Sequence, residues 1–167
     1  MISQVAYMKQ ICVLTAVMFL PLLFGAQDNP AAGTWKLNVA KSKFSSGTPA
    51  KSATLVIEAH GDSIKTSLEE IEGDDSRVGY EYTATFDDGK DYPLSCSSRP
   101  ERLGGAETVA LRRASSHAYG GQFKKSGQIV MTNKTVVSKD GKSLTLTANG
   151  ADAKGQAITV ISVWDKQ

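Results

Sequence analysis

Cysteine is scarce in this chain. Only Cys12 and Cys96 occur in 167 residues, so a disulfide-stapled miniature fold is excluded. Histidine is equally sparse. His60 and His117 stand far apart and make a poor metal site without further ligands. Charge of one sign is lacking too: 19 basic residues against 17 acidic ones give a formal net charge of +2. That balance leaves no dedicated polyanion surface and argues against a nucleic-acid partner. Aromatic residues make up 7% of the chain. No helical period persists beyond a turn or two. The G-x-S-x-G elbow, the H-E-x-x-H pair, the phosphate loop and the D-x-D-x-D-G calcium spacing are all absent. These absences point away from an enzyme and from any cofactor. With 41% hydrophobic and 22% charged residues, the composition is that of one ordinary globular domain.

The longest apolar run is Ile11 to Phe24, and it sits behind the single charge Lys9. Gly25-Ala26 supplies a small-residue exit before polar Gln27-Asp28-Asn29. A basic start, about 14 apolar residues and a small-residue exit read as a secretory signal helix over residues 1–26. A permanent membrane span needs roughly 20 apolar residues. The expected domain is therefore 27–167, secreted or periplasmic, with no stable membrane anchor after cleavage. It keeps Cys96 alone, in a loop-like setting, and no intramolecular disulfide is then possible.

Beyond residue 30 the pattern is period-two alternation punctuated by turns. Strands are expected at 33–39, 52–60, 63–71, 77–86, 90–94, 107–113, 117–124, 128–139, 143–148 and 156–165, with an irregular stretch over 95–106. Gly61-Asp62, Asp87-Asp88-Gly89 and Asp140-Gly141 supply hairpin turns. Residues 40–44 read as one short turn of helix. The fold class is all-β: an up-and-down antiparallel β-barrel of about ten strands, with a β-sandwich as runner-up. Closure removes exposed sheet edges, and a barrel of this size can enclose a small ligand.

Gly33-Thr34-Trp35-Lys36-Leu37 opens the first strand, and the chain ends in Val163-Trp164-Asp165-Lys166. Ser138 to Leu144 carries a D-G-K hairpin. These three features resemble the calycin barrels, meaning the lipocalins and the intracellular fatty-acid-binding proteins. The chain is also similar to secreted bacterial lipocalin-like proteins of unassigned function. The resemblance implies a ten-strand barrel with Trp35 packed at its closed end. Two family features are missing. Residues 40–51, broken by Gly47 and Pro49, leave no room for a two-helix lid, so the mouth is expected to be open. Ser162 and Trp164 stand where the family's R-x-Y would grip a fatty carboxylate.

The expected function is a binding protein holding a small, largely apolar molecule in its lumen. The alternative is an interaction protein of the cell envelope with a packed barrel, its partner unknown. Tyr80, Tyr82, Phe123, Met131 and Trp164 fall in phase with inward faces. Arg112 and Arg113 are neighbours on one strand and point to opposite faces. With Val109 and Leu111 inward, Arg113 is the interior one. It either pairs with Glu81 or another carboxylate, or binds an anionic ligand. The candidate ligand-binding set is Tyr80, Tyr82, Leu111, Arg113, Phe123 and Trp164. Glu69, Glu70, Glu72, Asp74 and Asp75 read as a solvated acidic turn. Asn133-Lys134-Thr135 is a glycosylation sequon in mid-strand.

Overall fold

The computed structural model describes residues 29–45, 50–98, 100–151 and 155–167. The expected signal helix lies outside the described residues. The strands among the described residues form a single antiparallel sheet. Its strands are β1 (Gly33–Leu37), β2 (Lys43–Phe44), β3 (Ser52–His60), β4 (Ser63–Ile71), β5 (Arg77–Thr85), β6 (Tyr92–Ser98), β7 (Thr108–Ser115), β8 (Ala118–Lys125), β9 (Gln128–Val137), β10 (Ser143–Ala151) and β11 (Ala157–Lys166). From β3 to β11 each strand pairs with the next, and β1 pairs with both β3 and β11. Ten strands thus close into a barrel. The two-residue β2 adds to the edge of β11 beside β1, at Val160 and Ile161. Pairing of β1 with β11 excludes the sandwich.

Alternation sets which side chains go inside. In β3, Ala53, Leu55 and Ile57 are buried, and in β5 Val78, Tyr82 and Ala84 are. The His60–Ser63 pair brackets the turn from β3 to β4, where Gly61 takes φ +60 without the Cβ strain another residue would bear.

One seam is thin. Strand β6 meets β7 in register at Tyr92↔Val109 and Pro93↔Thr108, and just beyond them the Leu94 N–H donates to the Glu107 carbonyl at 2.9 Å. Proline brings no N–H to a ladder, so this short seam holds fewer bonds than the others. The expected fifth strand over 90–94 is displaced: Ser95 to Ser98 continue it, paired on the β5 side alone. The Ser-Cys-Ser-Ser run lacks the alternation that marks the other strands. A 3-10 turn, Pro100–Leu103, follows.

The barrel has two unlike ends. One end holds the N- and C-terminal segments and the hairpins at 61–62, 116–117 and 138–142. Trp35 is completely buried near it, its Nε1 donating to the Ala31 carbonyl at 2.9 Å, with Lys166 Nζ 5.1 Å above the ring. Phe86 and Tyr119 meet edge-to-face at 5.3 Å, and Ile64 and Leu144 are wholly buried. This end is packed shut. The other end carries the β1–β3 connection, the 72–76 turn and the 3-10 turn Pro100–Leu103.

Candidate functional site

A cavity of about 330 Å³ occupies the lumen toward that second end. Its wall includes Leu68, Tyr80, Phe123, Met131, Leu146 and Trp164. The volume sits at the lower end of the range that small-molecule sites occupy, and the apolar wall suits an apolar guest. A hollow of about 460 Å³ runs along β3–β6, but side chains of the opposite phase, among them Ser67, Glu69, Glu81 and Ser97, give it a polar lining. The lumen is the better candidate.

Three of the six residues singled out from the sequence line this cavity: Tyr80, Phe123 and Trp164. Tyr80 stacks on Tyr82 at 6.2 Å with the rings 8° from parallel, and Phe123 presents an edge to both. Tyr82 is buried behind that pair, and Leu111 is buried against the packed layer beside it. Trp164 Nε1 donates to Ser162 Oγ at 2.9 Å. The serine standing where the fatty-acid-binding resemblance would place an arginine therefore fixes a wall tryptophan.

Arg113 is elsewhere. It lies at the packed end, its guanidinium 4.4 Å over the Phe86 ring and Nη2 3.7 Å from Asp62 Oδ1. Strand phase was enough to put it on the inner side, but not to say at which height along the barrel. Glu81 pairs instead with Lys65 at 3.1 Å on the outside.

The residue the sequence reading missed is Arg102. From the 3-10 turn Pro100–Leu103 it reaches Glu72 Oε1 at 2.6 Å and Glu70 Oε1 at 3.0 Å. Glu70 and Glu72 are thus not simply part of a solvated turn. Their side chains are only 15% and 6% exposed. Burial raises the Glu70 carboxyl above the usual carboxylate range, against the opposing pull of Arg102 and with a further push from Glu72. Arg102 and Leu103 both face the cavity, and Leu103 packs on the core. The mouth is therefore not left bare, as the missing helical lid suggested. The turn after β6 covers part of it, held by a double ion pair. The only sequence trace of this is a charged Glu101-Arg102 in a loop, with acidic residues ending a distant hairpin.

Cys96 also lines the cavity, and burial pushes its thiol up. It stays protonated at neutral pH and gains no nucleophilic activation. Burial drives the Tyr82 phenol up to about 12 and raises those of Tyr80 and Tyr119 well above the ordinary phenol range. All three remain neutral donors at ordinary pH. Among the described residues no three His, Cys, Asp or Glu side chains converge as metal ligands would. The sequon is turned inward: Thr135 is 1% exposed and Asn133 faces the cavity.

The chain matches no protein-family profile and no curated protein. The barrel and its cavity therefore carry the functional reading.

Proposed function

We propose that this protein is a lipocalin-like binding protein that holds a small, largely apolar molecule in the barrel lumen, and that it acts outside the cytoplasm. One observation carries the binding reading. Toward one end of the barrel Trp35, Ile64 and Leu144 are wholly buried, while toward the other large side chains stand back around an apolar cavity of about 330 Å³. A barrel that served only as a rigid interaction module would gain stability by filling that space. Voids forfeit dispersion contacts and apolar burial, so a retained void favours occupancy by a guest. The kinship to calycins rests on the Gly33-Thr34-Trp35 opening, the chain end and the up-and-down closure. Export rests on the apolar run Ile11 to Phe24 behind Lys9 and before Gly25-Ala26.

Native mass spectrometry of the protein purified from its own host tests the binding reading. A co-purifying mass of a few hundred daltons, released by unfolding, is expected. Bare protein alone, with no small apolar probe bound on titration, would move the reading to a packed interaction protein. The mass of the exported form tests the address: it should begin near Gln27, and a full-length membrane-retained product would refute it.

A further inference from the structure

One amide side chain in the cavity wall has no partner. Asn133 sits on the inner face of β9, in register with Gly121 of β8 and Ala148 of β10. Its neighbours along that inner face, Met131 and Thr135, are buried. Its Oδ1 is buried and accepts no hydrogen bond. The barrel makes room for it: a Cβ on Gly121 would lie 2.7 Å from that oxygen. Of the other neutral polar groups on the wall, the two serine hydroxyls are occupied, and the Tyr80 phenol and the Cys96 thiol are neutral donors. Ser162 Oγ takes the Trp164 N–H, and Ser98 Oγ donates to the Arg77 carbonyl at 2.5 Å. An amide left without partners amid Phe123, Met131 and Ala148 is costly to keep unless something pairs with it.

We propose that Asn133 is a specificity-determining residue of the lumen, and that it selects an apolar ligand carrying one uncharged hydrogen-bonding group, a hydroxyl or a carboxamide, over a carboxylate. The inference rests on the lumenal-binding reading above and names the ligand class for it. A carboxamide both donates and accepts, and rotation of the Asn133 side chain about its last bond lets either end meet the guest. A carboxylate has no such welcome. Arg102 is committed to Glu70 and Glu72, and Arg113 lies at the packed end on Phe86 and Asp62. A carboxylate drawn into the lumen would be buried without a free cation.

Displacement of the neutral fluorophore N-phenyl-1-naphthylamine by 1-decanol, decanamide and decanoate tests this. Decanol and decanamide should displace it at least about tenfold more effectively than decanoate. Asn133→Leu should erase that preference, with each displacement scaled to the fluorophore affinity of the variant itself. In wild-type protein labelled with ¹⁵N, decanol should shift the Asn133 side-chain amide resonances, a readout that stands even where the variant folds poorly. Equal displacement by decanoate, a preference that survives Asn133→Leu, or amide resonances that do not move would each overturn the proposal. Binding of the fluorophore without discrimination defeats this inference alone. Failure of the fluorophore to bind at all defeats the lumenal reading beneath it as well.

Discussion

The two ends of the barrel are built from the same alternating strands and reach opposite outcomes. At the packed end, Trp35, Ile64 and Leu144 are wholly buried, and the charges that approach lie over ring faces: Lys166 over Trp35 and Arg113 over Phe86. At the open end, Tyr80, Phe123, Met131 and Trp164 supply as many large side chains, yet they ring a void. The difference is one of height and direction. Trp35, wholly buried with its N–H held by the Ala31 carbonyl, closes one end, whereas Tyr80, Phe123 and Trp164 stand around the lumen toward the other. Tight packing and open cavity are thereby separated along the barrel axis.

Mutation should break this contrast most sharply at Trp35. Trp35→Ala should cost about 3–5 kcal/mol in denaturant melts, because it removes a buried ring and leaves a cavity that cannot collapse. Leu146→Ala at the open end should cost about 1 kcal/mol, since that side chain is partly buried and already faces empty space. Equal costs would mean that the two ends are packed alike.

High pH should act next. The folded state holds the Tyr82 phenol near 12 against an ordinary value of 10.0. A raised folded value favours the protonated phenol in the native state. Its contribution is complete below pH 10 and is lost as pH rises from about 10 to about 12. Two pH units correspond to roughly 2–3 kcal/mol of stability lost across that window. Tyr82→Phe should remove this share of the alkaline loss, leaving that of Tyr80 and Tyr119. Denaturant midpoints at pH 9, 10 and 11 measure it, and an unchanged slope would place Tyr82 in contact with solvent.

Arg102→Ala sharpens the comparison at the mouth. It takes the cation away from Glu70 and Glu72, but the Arg102 side chain is 39% exposed and solvent screens the pair, so about 1–2 kcal/mol is expected. The turn it holds should loosen. Stopped-flow release of N-phenyl-1-naphthylamine should then accelerate several-fold, with no change in the near-ultraviolet signal of Trp35. Unaltered release would mean that this turn does not govern access.

Much of the barrel was legible because its hairpins announce themselves. The expected spans 52–60 and 63–71 coincide with β3 and β4, where strict alternation meets a Gly61-Asp62 turn. The β6 region was not legible, since Pro93 and the Ser-Cys-Ser-Ser run carry neither period nor branched side chains, and tertiary pairing with β5 makes the strand. At the site, alternation fixed the inward face of Tyr80, Phe123 and Trp164. It could not give height along the axis, which is why Tyr82 and Leu111 belong to packed layers and Arg113 to the far end. Arg102 and Asn133 were hidden for different reasons. One acts from an irregular turn against a hairpin distant in sequence, and the other matters because its partners are missing, which only three-dimensional packing reveals.

The central claim is that the open-end cavity is a site and not a packing defect. Titration of N-phenyl-1-naphthylamine into the wild type and an Ala148→Trp variant tests it most directly, because Ala148 lies on the cavity wall and an indole there occupies the space. The account predicts saturable one-to-one binding with energy transfer from Trp164 in the wild type. It predicts at least about a tenfold loss of affinity in a variant that remains folded. Binding that never saturates, or that persists undiminished once the cavity is filled, would contradict it.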